Sequence, residues 1–137
     1  MPSFLLDDLR DWLTSEGVTT QIYRGFMPEL PDDALQIIET GGMPPVHAMS
    51  SAAGNAVEER PSVQLIRRSP SYERARAEMQ VIFRLLDGAG DKTVNGTRYK
   101  WVSALQQPFA LPRDESNRSL IAMNVAIAKA VTTATST

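Results

Sequence analysis

Two strand-like runs, and the stretch between them, constrain this chain more than any other feature. Ala34-Leu35-Gln36-Ile37-Ile38-Glu39-Thr40 is rich in apolar and β-branched residues and stops at Gly41-Gly42. Pro61-Ser62-Val63-Gln64-Leu65-Ile66-Arg67-Arg68 is the second run. The segment from Gly42 to Arg60 shows no clear period, whereas compact domains mostly join strands through a few residues. The pattern therefore predicts a long loop that is mobile in a free subunit and orders against a neighbour. Ahead of the first run, Gly25 to Asp33 carries two prolines and a pair of aspartates and reads as a sharp non-helical connector.

The remaining elements follow from periodicity. Ser3 can cap a first helix that places Leu5, Leu9, Trp12 and Leu13 on one face, with Asp7 and Asp8 near its positive end and Gly17 as its stop. Val18 to Tyr23 reads as a weak strand. Ser69-Pro70 predicts the start of a second helix, whose stripe of Ala75, Met79, Ile82, Phe83 and Leu86 faces the core until Gly88 ends it. Asn95-Gly96 signals a tight hairpin. It leads into a strand with Tyr99 and Trp101 on one face and Arg98 and Lys100 on the other. Pro108 and Pro112 reduce the next piece to an edge or a loop. Ile121, Met123, Val125 and Ile127 alternate with smaller residues in a last strand.

This order predicts an α+β fold: a small, mostly antiparallel sheet with two helices packed on one face and a long loop between strands 2 and 3. A single domain is expected over 1–131, with a flexible C-terminal tail at 132–137. With 137 residues, 42% hydrophobic and 22% charged, the chain can bury one ordinary core. A net charge of −2 gives no general attraction to phosphate, so specific nucleic-acid binding is not expected. No apolar stretch reaches the roughly 20 residues of a membrane span.

The residues offer little chemistry. There is no cysteine, hence no disulfide, thiolate metal site or thiol nucleophile. His47 is the only histidine, with no second ligand at metal spacing. Ser50 and Ser51 lie near it, yet a triad also needs an orienting acid and an oxyanion hole, so a loop histidine is the plainer account. Asp32 and Asp33 follow proline and suit a turn. Gly41-Gly42 lacks the Lys-Ser/Thr of a phosphate loop. Arg67, Arg68, Arg74 and Arg76 are interleaved with Glu73 and Glu78 and read as a solvated mixed face. No catalytic, cofactor-binding or metal-binding residue is assigned.

The chain resembles the minor capsid and tail terminator proteins of bacteriophages with long non-contractile tails. The resemblance runs through Tyr23-Arg24-Gly25, Met27-Pro28, Pro31-Asp32 and Ile37 to Gly42 with Pro44-Pro45. It continues through Pro61 to Gln64, Ser71-Tyr72, Leu85 to Gly88, Asn95-Gly96, Gln107-Pro108 and Asp114-Glu115. It implies a virion protein of the tail or neck, present in the host cytoplasm during assembly. Its subunits would form a ring of six at the head-proximal end of the tail tube, contacting the tail tube protein and the head connector. DNA would pass through without specific binding. The alternatives are another neck or minor capsid component, a small enzyme or ligand-binding domain, or a regulatory interaction module. The candidate contact surfaces are an apolar one, Phe26, Met27, Met43, Val46 and Met49, and a charged one, Arg67 and Arg68.

Overall fold

The structure, a computed structural model, describes residues 4–47 and 56–131. Helix α1 spans Leu5–Ser15 and buries Leu5, Leu9, Trp12 and Leu13, as its spacing requires. Its first residue is preceded by Phe4, whose N–H donates to the Asp7 carboxylate at 3.0 Å. That bond occupies one of the donors a helix start leaves open; Ser3, the expected cap, lies outside the described residues. Gly17, at φ +102°, turns the chain away. Strand β1 is only Ile22–Arg24, shorter than expected, and runs parallel to β2.

Much of the expected loop between strands 2 and 3 is strand, at 42–47 and 56–60. Strand β2 spans Ala34–His47 and pairs antiparallel with β3, Ala56–Ser69. Both strands run well past the ends set by their apolar runs, and only 48–55 lies outside the described residues. Periodicity hid this because the pairing is irregular, with register shifts between Glu39 and Gly42, Met43 and Val46, and Val46 and His47. Each bulge moves the inward-facing set by a residue and erases the alternation. Pro44 and Pro45 are tolerated because β1 pairs only with Leu35 to Ile37, which leaves the outer side of β2 beyond them without a strand neighbour among the described residues.

Helix α2, Tyr72–Leu86, is capped by Ser71, whose Oγ accepts from the Arg74 N–H at 3.2 Å, two residues later than Ser69-Pro70 suggested. Ala75, Met79, Ile82 and Leu86 are buried, while Phe83 is half-buried at the border of the stripe. Strands β4 (Ala89–Val94) and β5 (Thr97–Ala104) form the predicted hairpin, with Asn95 and Gly96 both at positive φ. Its tip is tied to α1: Asn95 Nδ2 donates to Asp8 at 2.9 Å and to Asp11 at 2.8 Å, and the Tyr99 hydroxyl also donates to Asp8. Trp101 does not share the Tyr99 face. A register shift between the two turns Trp101 outward opposite Ala128, and Val102 takes the inward place.

Strand β6, Phe109–Leu111, lies along β7, Ser119–Ala130. Seven strands among the described residues form one sheet in the order β1-β2-β3-β7-β5-β4, with β6 beside β7, curled into a half-barrel. Leu35, Ile37, Val63, Leu65, Ile121, Met123, Val125 and Ile127 join the apolar stripes of both helices in one buried cluster.

Gly42 is the tightest point of the β2–β3 pair. A Cβ there would lie 2.3 Å from the Arg60 carbonyl oxygen and 2.7 Å from Pro61 Cα, at φ +130°. Gly41 also has positive φ, but open space around it. Gly42→Ala should therefore lower stability by roughly 1–3 kcal/mol, and more than Gly41→Ala. Chemical denaturation of both variants measures the difference; equal losses would mean that the bulge does not hold Gly42 against β3.

Candidate assembly interface

Residues 25–33 cross from β1 to β2 without regular structure, and side chains from β3 and the start of β7 hold them. Arg68, 4% exposed, donates to three carbonyl oxygens: Pro31 at 2.5 Å, Glu29 at 3.2 Å and Asp32 at 3.4 Å. Arg118, 5% exposed, donates to the Glu29 carbonyl at 2.6 Å and to the carboxylates of Asp114, Glu29 and Asp32 at 2.8, 2.9 and 3.2 Å. Arg67 meets Glu78 of α2 at 2.6 Å and Asp33 at 3.2 Å, and Arg74 closes on Asp33 at 3.0 Å. At the other end, the Gly25 N–H donates to Ile37 O at 2.8 Å and Gln36 Nε2 donates back to Gly25 O.

The sequence suggested Arg67 and Arg68 as a charged contact surface. Both are buried and fully engaged within the subunit. Alternation accounts for Arg67, which shares the inward face of Val63 and Leu65, where Glu78 of α2 and Asp33 of the connector compensate its charge; Arg68 is buried beneath the connector instead.

The apolar candidates separate into three kinds. Phe26, just past the end of β1, is 81% exposed, and Met43, within β2, is 69% exposed. Met27 and Val46 are half-buried, Met27 lining a cleft of about 300 Å³ with Arg68, Asp114 and Arg118. Met49 lies outside the described residues. Phe4 and Leu30 are exposed as well, with no periodicity in the sequence to mark them. Phe4 and Met43 line an open groove of about 320 Å³ under the root of the β2–β3 pair, with Pro45 and Pro61. Across the sheet, Trp101 and Leu105 are exposed near the β5–β4 edge.

Nothing in this arrangement resembles a catalytic centre. His47 is exposed at the end of β2. Among the described residues no group of three His, Asp or Glu side chains could hold a metal ion, and no helix is long and apolar enough to cross a membrane. The carboxylates around Arg118 are spent on that guanidinium.

A family model described as "Bacteriophage tail terminator protein" matches residues 8–131. The chain belongs to that family. It is thus a structural protein of the phage tail and not an enzyme. The match takes in the connector, both strands of the bulged pair and β7. None of the curated proteins matches this tail terminator. A solved structure is similar in fold, with a TM-score of 0.58 and 14% identity over 91% of this chain and 89% of the other.

Two aspartates around the connector of the tail terminator titrate abnormally low. Asp114 is lowered first by the hydrogen bond from the Arg118 backbone N–H and further by the Arg118 side chain, against some desolvation. Burial pushes Asp33 upward, but hydrogen bonds from Ser69 and Arg67 and the charges of Arg67 and Arg74 outweigh it. Both native values lie below the ordinary value of 3.8. Their stabilisation is therefore complete above that value and is lost as pH falls through the lowered ones. The thermal midpoint should stay level from pH 7 to about 5 and fall below about 4, and Asp114→Asn should blunt the fall. A main loss centred near pH 6 would contradict this assignment.

Proposed function

We propose that this tail terminator closes into a ring of six at the head-proximal end of the tail tube, stops tube growth and joins the tail to the head connector. The subunit acts as a single unit over 1–131, with both helices backing one face of the curled sheet. It enters the ring from the host cytoplasm during assembly. The observation that supports a ring is that the open sheet has two unlike sides. One side is β2, without a strand neighbour beyond Ile37 among the described residues, with Met43 on it and Phe26 at its near end; the other is the β5–β4 edge with Trp101 and Leu105. A cyclic assembly needs such a heterologous pair, because one surface of each subunit meets a different surface of the next. Closure then removes both edges and leaves nowhere for a fibre to extend. The net charge of −2 suits a conduit through which DNA passes without being held.

Without this protein, infected cells should accumulate filled heads and unjoined tails, or tails of uncontrolled length, seen by electron microscopy. Tails of normal length that still join heads would rule the role out. In purified protein, Phe26→Asp should weaken self-association by about 2 kcal/mol or more, as loss of an aromatic anchor does. Its melting should stay close to that of the unaltered subunit, because Phe26 stands in solvent. Sedimentation and a thermal scan separate the two effects.

A further inference from the structure

The connector combines two features that local folding alone does not require. Its backbone carbonyls at Glu29, Pro31 and Asp32 are each met by a buried guanidinium. A surface crossing could leave those carbonyls in water at no cost, whereas burying two arginines demands that every charge be compensated. Yet the side chains carried on this fixed backbone, Phe26 and Leu30, are large, apolar and exposed. A rigid main chain with an apolar side chain held in water is the form of a preorganised anchor: its ordering cost is met before any partner arrives.

Position points to the partner. Gly25 is bonded to Ile37, the last β2 residue that β1 covers. Phe26 therefore stands where the unpaired edge of the sheet begins, and that is the edge a neighbouring subunit meets if open sheets join side by side.

We infer that Arg68 and Arg118 are positioning residues for assembly, fixing the connector so that Phe26 and Leu30 are presented to a second copy of this chain. The inference rests on the ring reading. The two arginines touch no neighbour themselves; they act through the connector. Glu29 assists, because its carboxylate takes bonds from Arg118 at 2.9 Å and from Ser116 Oγ at 3.0 Å.

The test uses the full chain with Arg118→Gln, Phe26→Ala and the two together. Hydrogen exchange of residues 25–33, exchange of β3 and β7, and sedimentation over a concentration series are the readouts. In Arg118→Gln the connector should exchange at least about tenfold faster while β3 and β7 keep their protection, and self-association should weaken about tenfold or more. Adding Phe26→Ala should then cost little further, because both changes remove the same contact. If Arg118→Gln does not fold, Glu29→Gln replaces it, with a smaller change in the same direction expected. Undiminished association with a loosened connector would overturn the inference, as would fully additive losses. The unaltered protein separates the two levels: if it forms no ring at any concentration, the ring reading fails and this inference with it. If rings form and ignore both substitutions, only the positioning role fails.

Discussion

The interaction on which the rest depends is the hold of Arg67, Arg68 and Arg118 on the segment between β1 and β2. Three guanidiniums in or near the sheet take the carbonyls and carboxylates of residues 29–33. Arg67 carries the hold through to α2 by way of Glu78, which also accepts from Thr20 at 2.8 Å. One residue thus links a strand, a helix and the entry to β1. Removing it would leave Glu78 without an ion-pair partner among the described residues and Asp33 with Arg74 alone, and would open the side-chain link between β3, α2 and the connector. Among the described residues no buried side-chain nitrogen or oxygen lacks a partner, so the network is satisfied as it stands.

The same segment decides which edge of the sheet stays open. Because β1 ends at Arg24 and the chain turns at Gly25, the outer side of β2 has no strand neighbour from Ile38 onward among the described residues. An edge that long invites unwanted pairing. Here bulges and Pro44-Pro45 interrupt it, so a foreign strand cannot run along it in register. If the proposed ring forms through this side, side chains such as Phe26 and Met43 contribute more to it than a continuous ladder of backbone bonds.

The parts of this architecture with a regular period were legible in the sequence. Helix α1, the stripe of α2, the Asn95-Gly96 turn and the alternation of β7 depend on local rules and follow them. What escaped was irregular or tertiary. The extension of β2 and β3 was hidden by bulges, Trp101 was turned outward by a one-residue slip, and Phe83 fell at the border of its stripe because the helix presents Ile82 and Met79 more squarely. The burial of Arg68 and Arg118 could not be read from their neighbours. Apart from Asp114, four residues from Arg118, their partners are carbonyls and carboxylates some ninety or forty residues away, a separation at which spacing carries no signal. The exposed Phe26 was selected from the connector, while Leu30 in the same connector was passed over.

The hairpin tip at Asn95 has a chemical consequence of its own. An asparagine followed by glycine is the backbone arrangement that loses its side-chain amide most readily, since the next residue offers no steric barrier to ring closure, and asparagine is among the thermolabile residues. In this protein the amide of Asn95 donates to both Asp8 and Asp11. Its slow hydrolysis would put a third carboxylate against two others and turn two attractions into two repulsions. That change would weaken the joint between α1 and the β4–β5 hairpin, leaving the Tyr99–Asp8 and Lys92–Glu16 contacts to hold it.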